Sequence, residues 1–385
     1  MNTEKVKCPV CKTEDHIRLF PEYKGKALSS DWYLHENIEI YNACCKSCGH
    51  IYEAKGVRNF SFDFYDKVFT PKPMMKVFGK TKAVSRQNKA YDLLKECVEI
   101  STHGKLLEAG AGMGGFSKIF SETHQDWNVE SFEPSASFNH LQEKAKKLDN
   151  LTVRRSGYAD FNISEKSKDI IISLGVLEHV DNPVDMLKWA SDGLKDGGYL
   201  FIEIPNFDYQ PNDLLCVDHL SKLTEAIIHN LANHCSLKVL KVIKQGVPAY
   251  FLMQKDESLD TDLKSSFDKN ILIARKNEDI VRKTMEAIDL ARKNALESGE
   301  KFGIFGLATA GLMAPFYLNF EVNEISAFID ENEGLWNTKI FDRKVGGFDV
   351  MEENNIKHIA LAISPAYVDA VKEKLGKYNV KVYHA

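Results

Sequence analysis

From residue 73 to residue 256 the sequence alternates short apolar, strand-like runs with helix-like stretches, a pattern that few architectures accept. The amphipathic segment "KAYDLLKECVEI" is followed by "KLLEAG", "NVESFEP", "LTVRRSG", "DIIISLG", "YLFIEIP", "KVLKVI" and "AYFLMQK", with helical spacing between most of them. Repeated strand-helix units predict an α/β fold, a parallel sheet with helices on both faces. The polar stretch "KDESLDTDLKSSFDKN" then reads as a linker, and "ILIARKNEDIVRKTMEAIDLARKNALESG" as one long helix ended by glycine. A second series of βα units runs from "KFGIFGLATAG" through "EISAFIDEN" and "IKHIALAIS" to a closing helix and a short last strand, predicting a smaller Rossmann-like domain. Residues 1–72 show little regular periodicity and hold the aromatic stretch "NFSFDFYDKVF" and the breaker "TPKP". The expected organisation is therefore a small module over 1–72, a sheet domain over 73–256 and a second sheet domain over 257–385.

Five of the eight cysteines fall within the first 48 residues. Cys8-Pro9-Val10-Cys11 and Cys45-Lys46-Ser47-Cys48 form two CxxC knuckles, and each lets two thiolates converge on one ion. Four sulfurs suit tetrahedral Zn2+ and leave no open position for a substrate water, so the predicted site at Cys8, Cys11, Cys45 and Cys48 is structural. Cys44 is adjacent to Cys45, but the two-residue spacing to Cys48 favours Cys45; His16, His35 and His50 rank lower as ligands. Cys97, Cys216 and Cys235 lie elsewhere and read as small buried apolar side chains.

The segment "LLEAGAGMGGF" places a glycine-rich turn after the first strand of the middle zone. Gly110, Gly112 and Gly115 fit the GxGxxG of dinucleotide binding, whereas Glu108 with Gly110, Gly112 and Gly114 fits the acid-x-GxGxG loop of S-adenosylmethionine (SAM) enzymes. Glu108 decides between them. A carboxylate here repels a pyrophosphate lying over the turn but attracts the ammonium of the methionyl group of SAM. Glu133, ending the second strand in "SFEPS", stands where an acid accepts hydrogen bonds from ribose hydroxyls. In "SGYADF", Asp160 is placed to meet the adenine amino group or to remain a solvated loop acid, and Gly114 and Gly115 can equally serve helix packing.

With the following "IISLGVLEHVDNPVDMLKWASDGLKDGGYLFIEIPN", residues 85–255 resemble class I SAM-dependent methyltransferases. The resemblance implies cofactor contacts at Glu108, Gly110, Gly112, Glu133 and Asp160, with backbone contacts near Leu174 and Gly175. The order of the whole chain, a double CxxC module, this core, then a Rossmann-like tail, resembles the sugar C-methyltransferases that act on nucleotide-linked 4-keto deoxysugars. That family implies zinc, SAM, a nucleotide-sugar substrate and methylation of a carbon next to a ketone, where a base generates an enolate. Its Glu-His pair, usually followed by a tyrosine, corresponds to "CVDHLSKLT": Asp218 replaces the glutamate and can still orient or hydrogen-bond the neighbouring histidine, His219 supplies the base, and Lys222 stands where the aromatic is expected. Lys222 in that place could pair with phosphate or stabilise an oxyanion. His179, in the "LEHVDNP" turn, is a second candidate base or a pocket-shaping residue, and Asn206 and Tyr209 are candidate substrate contacts. In the tail, Gly303, Gly306, Gly311 and Asp330 suit a nucleotide-binding turn, a wall that closes the cleft, or packing alone.

Composition narrows the partners. Lys and Arg total 50 against 55 for Asp and Glu, a net charge of −5, which offers no general attraction for nucleic acid or anionic membrane. The start "MNTEKVKCPV" lacks a signal-peptide core, and the longest apolar run, "IIISLGVL", is too short to span a bilayer, so a cytoplasmic enzyme with a small-molecule substrate is expected. The rival readings are an O-methyltransferase of a saccharide or other small metabolite, a non-catalytic zinc and nucleotide-binding scaffold, and a NAD-dependent dehydrogenase, which Glu108 disfavours.

Overall fold

The computed structural model describes residues 6–57, 85–244 and 247–385. The aromatic stretch, the "TPKP" breaker and the boundary expected near residues 72 and 73 lie outside the described residues. In the N-terminal part, five strands are β1 (His16–Arg18), β2 (Tyr23–Leu28), β3 (Leu34–Ile40), β4 (Asn42–Cys45) and β5 (Ile51–Glu53). β2 and β3 pair as a two-stranded ribbon. The other three form a sheet ordered β1-β4-β5-β11, where β11 is the two-residue strand Ser221–Lys222, borrowed from the middle of the chain.

The central sheet contains β6 (Gly104–Ala109), β7 (Trp127–Phe132), β8 (Leu151–Arg154), β9 (Lys168–Leu174), β10 (Leu194–Pro205), β12 (Leu237–Lys244) and β13 (Pro248–Lys255). Its order is β12-β13-β10-β9-β6-β7-β8. All seven runs expected as strands are strands. The sheet is parallel as expected through β10-β9-β6-β7-β8, and β13 inserts antiparallel between β10 and β12. The end of β12 and the start of β13 lie only four positions apart in the sequence, and strands so closely linked pair antiparallel. Buried on both faces, the inner strands are near-continuous apolar runs, such as Ile170, Ile171 and Ile172 of β9.

Helices α1 (Arg86–Cys97), α2 (Gly115–Thr123), α3 (Phe138–Ala145), α4 (Pro183–Gly193) and α5 (Glu225–His234) accompany this sheet. Their starts follow local chemistry. The Asn182 side chain accepts from the Val184 amide with Pro183 in the first turn, and the Thr224 hydroxyl accepts from the Ile227 amide. α6 (Phe267–Ser298) begins four residues earlier than the apolar pattern suggests and ends at Gly299, whose φ of +68° suits the left-handed cap.

The last sheet joins β14 (Lys301–Phe305), β15 (Ile325–Ile329), β16 (Lys339–Ile340), β17 (Arg343–Gly346), β18 (Ile356–Leu361) and β19 (Lys381–Tyr383) in the order β16-β17-β15-β14-β18-β19. It is parallel except for the β16–β17 ribbon, and α7 (Thr309–Tyr317) follows β14. One apolar cluster runs from Leu28 and Ile40 through Phe207, Leu214 and Val217 to Val281, Ile304 and Phe328. The N-terminal and C-terminal zones therefore share a core with the loop after β10, and α6 reinforces the join: Asn270 donates to the Gly49 carbonyl and Glu278 accepts from the Phe20 amide. No helix among the described residues is long and apolar enough to cross a membrane.

Candidate active site and metal centre

A cleft of about 1100 Å3 opens beyond the C-terminal ends of β6, β7, β9 and β10, and all three zones wall it. The middle zone contributes Glu108, Gly110, Gly112, Glu133, Asp160, Leu174, Gly175, His179, Asp218 and His219; Trp32 and Thr309 represent the other two. Ligands of open α/β sheets sit at this edge because the chain leaves the strands there in loops.

After β6 the chain turns through Gly110 at φ +68° and Gly112 at φ +53°. A Cβ at Gly110 would lie 2.5 Å from Val176 Cγ2, so both the backbone angle and the space exclude a side chain. Gly110→Ala is expected to lower stability by about 1–2 kcal/mol from the backbone angle alone, more with the clash, and to weaken SAM binding; thermal unfolding and titration calorimetry read both. Gly175, at φ +68°, is hemmed in the same way, since a Cβ there would meet Arg86 Nη2 at 2.2 Å. Arg86 in turn donates from Nε to the buried Glu203 at 2.8 Å.

Glu108 is 3% exposed and accepts from the Ser117 amide at 3.0 Å and from the Ser117 hydroxyl. Burial pushes its carboxyl up to about 7, against the lowering effect of those two donors. A cation arriving in the cleft would restore its charge. Glu133 is differently placed: Oε2 accepts from the Gly112 amide at 2.7 Å and Oε1 from the Ser135 amide at 2.9 Å, which braces the glycine turn against the end of β7. Asp160 is exposed at the cleft wall on the short turn Tyr158–Asp160.

The acceptor end is built by the turn after β9 and the loop after β10. His179 and His219 meet edge to face with ring centroids 4.7 Å apart. His179 Nδ1 lies 3.0 Å from the Asp218 carbonyl oxygen, and burial, helped by the charge of His219, lowers its proton affinity to about 4. Glu178, beside them, is 3% exposed, is pushed up to about 7 by burial, and keeps Oε2 without a hydrogen-bond partner.

Four expectations about this end are corrected. Asp218 does not hold His219; its carboxylate accepts from the Ser30 amide at 2.7 Å and the Ser30 hydroxyl at 2.8 Å, which ties the loop to the N-terminal zone. The acid bonded to His219 Nδ1 is Asp213, which sequence reasoning missed. Lys222 is fully buried and its ammonium donates to the Cys216 and His219 carbonyls at 2.8 Å each, so it staples the loop and is not presented to a ligand. Asn206 and Tyr209 lie off the cleft wall: Asn206 is 1% exposed and accepts from the Asp208 amide, while Tyr209 is 47% exposed with its carbonyl toward Ser364. Between Asn206 and Leu215 the wall residues are Gln210 and Asp213. Cys216, read as plain core, also lines the cleft and turns its thiol to Asp218 at 3.1 Å.

Away from the cleft, the sulfurs of Cys8, Cys11, Cys45 and Cys48 lie within 4.8 Å of one another. Cys8 and Cys48 are 3.7 Å apart, and Cys11 and Cys45 3.4 Å. A tetrahedral thiolate site with metal-sulfur bonds of about 2.3 Å has sulfur-sulfur edges of about 3.8 Å, so this donor set fits such an ion closely. Cys44 is turned away, toward the Gly49 carbonyl, and His16, His35 and His50 bond Tyr41, Ser29 and Ser221 respectively.

Residues 83–241 match the family model described as a methyltransferase domain. A SAM-dependent methyltransferase from Aquifex aeolicus is similar at 17% identity and TM-score 0.40, over 51% of this chain and 100% of that one. So is the YcgJ protein from Bacillus subtilis, at 12% identity and TM-score 0.39, over 44% of this chain and 100% of that one. An S-adenosylmethionine dependent methyltransferase from Mesorhizobium loti matches at 12% identity and TM-score 0.37, over 43% of this chain and 96% of that one. No curated protein matches the chain. The fold, the acid-flanked glycine turn and the domain match together define a class I methyltransferase fold with SAM as its methyl donor. Residues 83–241 form a SAM-dependent methyltransferase domain.

Proposed function

We propose that this methyltransferase acts on a nucleotide-activated sugar and methylates a carbon next to a ketone. The observation that carries the reading is the breadth of the cleft. One continuous cavity of about 1100 Å3 runs from Glu108 and Glu133, past His179 and His219, to Leu307, Ala308, Thr309 and Asn332 of the C-terminal zone. Cavities for a single small ligand span about 300–1000 Å3, so this one lies above that range, and its reach into the C-terminal zone supports an acceptor extended beyond the SAM end.

In this reading Glu108 receives the SAM ammonium, Glu133 the ribose hydroxyls and Asp160 the adenine edge, with Leu174 and Gly175 as backbone contacts. Bound SAM supplies an electrophilic methyl group. His219 removes the proton from the carbon beside the acceptor ketone, leaving an enolate that takes the methyl. The nucleotide end of the acceptor lies toward Leu307, Ala308 and Thr309. The four-cysteine centre holds Zn2+ as a structural ion, too far from this chemistry in role and coordination to touch it.

Mass spectrometry of reactions with SAM and a panel of nucleotide-linked keto-sugars should show a gain of one methyl. Deuterium placed beside the ketone should be lost in the presence of enzyme; its retention in a methylated product would mean O-methylation instead. His219→Asn should slow both methyl gain and deuterium loss by about 100-fold or more while SAM still binds. Undiminished deuterium loss in that variant would take the base role away from His219.

A further inference from the structure

Resting on the methyl-transfer reading above, we propose that Asp213 is the positioning residue of this site: its carboxylate grips His219 at Nδ1 and so leaves Nε2 as the nitrogen that handles the acceptor's proton. Both residues line the cleft, and both are nearly sealed from solvent, with side-chain exposures of 2% for Asp213 and 12% for His219. Asp213 reaches the ring from a short 3-10 turn, Pro211–Leu215, six residues earlier in the chain.

The surrounding loop is fastened at several points. The Asp213 amide donates to the Gln210 carbonyl at 3.2 Å and the Cys216 amide to the Asp213 carbonyl at 3.1 Å. Lys222 draws the Cys216 and His219 carbonyls onto one ammonium. The competing acid, Asp218, is spent on Ser30 and Cys216. Asp213 keeps Oδ2 buried with no hydrogen-bond partner, a cost that a purely structural carboxylate would be expected to avoid.

The groups facing His219 are Glu178 and His179 from the turn after β9, Asp213, Cys216 and Asp218 from its own loop, and Lys222 from β11. Burial works against a charged ring, yet Cys216 and Asp213 together hold His219 well above its ordinary value. Burial also pushes the Cys216 thiol up to about 11, and Asp213 is the acid bonded to the ring. An imidazole held this way binds its proton more tightly than an ordinary histidine and is the stronger base once that proton leaves. Catalysis dependent on it rises toward alkaline pH.

Nitrogen-detected NMR of the full-length, SAM-bound protein tests the coupling without any acceptor. His219 should titrate well above an ordinary histidine and, when neutral, carry its proton on Nδ1. Asp213→Asn should cost His219 at least tenfold in proton affinity, and Asp218→Asn much less. An ordinary titration in the unsubstituted protein, a neutral ring protonated on Nε2, or an unchanged titration in Asp213→Asn would each overturn the proposal. If Asp213→Asn does not fold, the tautomer and titration of the unsubstituted protein decide alone. With an acceptor from the mass-gain screen, Asp213→Asn should lower kcat at least tenfold, leave KM for SAM unchanged and move the alkaline limb of the rate profile to lower pH. An unchanged kcat and limb would count against it. Failure of the whole keto-sugar panel would instead strike the acceptor reading, since the NMR result is independent of it.

Discussion

Glu108→Gln is expected to weaken SAM binding by roughly 100-fold or more, because the amide cannot offer the buried negative charge that an ammonium requires. The same substitution should stabilise the ligand-free protein. The Glu108 carboxyl is pushed up to about 7 by burial. A folded-state value above the unfolded one means that the folded chain binds this proton more tightly. The group's contribution is then fully present below the unfolded carboxylate range and is lost as pH rises through about 7. Glutamine carries no charge to bury, so the ligand-free variant should not lose that contribution.

SAM affinity follows the opposite course. In the proposed reading only the ionised carboxylate pairs with the ammonium, and between pH 6 and pH 8 its ionised fraction rises from about one tenth to about nine tenths, so affinity should rise about tenfold and then level off. Binding below pH 7 should release a proton, measurable by calorimetry in buffers of different ionisation enthalpy. Glu108→Gln should show neither the slope nor the proton. A flat affinity profile in the unsubstituted protein would place the ammonium elsewhere.

Much of the fold could be read from sequence because strands buried on both faces are apolar runs, and their alternation with helices leaves few arrangements. Strand direction carries no such mark, so the reversal of β13 was invisible. β11 was invisible for another reason: its two residues are strand only because Tyr52 and Ile51, far away in sequence, lie beside them. In the site, the residues expected at the cofactor come together along one cleft because a strand, a glycine turn and a helix are contiguous in the chain. The acceptor half is assembled from distant segments. Adjacency made Asp218 look like the partner of His219, but neighbouring side chains on a non-helical backbone turn apart. Asp218 reaches Ser30, and the turn at Pro211–Leu215 brings Asp213 round to the ring. Lys222 is likewise explained only by the two carbonyls that converge on it.

Removal of the ion proposed for the four-cysteine centre is the second large effect to expect, and the connections of β5 define where it would be felt. β5 pairs with β11, the Glu53 amide donates to the Leu220 carbonyl at 2.9 Å, and the Val57 amide to the Val217 carbonyl at 2.9 Å. With Ser30 on Asp218, the segment from Val217 to Lys222 is thus held largely by the N-terminal zone. A four-cysteine Zn2+ site in a peptide is worth about 10–16 kcal/mol of folding free energy near neutral pH, comparable with the whole stability of a typical domain of about 5–15 kcal/mol. Stripping the ion with a chelator, or Cys45→Ser, should therefore release the N-terminal sheet and with it the His219 loop. Amide exchange in residues 216–222 should accelerate and methyl transfer should fall to background. Glu108 lies in β6 and Glu133 directly after β7, away from this attachment, so SAM affinity should change by only a few fold. Elemental analysis should count one zinc per chain before treatment. Slow exchange in residues 216–222 after complete removal of the metal would show that the loop stands without the module, and that the cysteines serve another purpose.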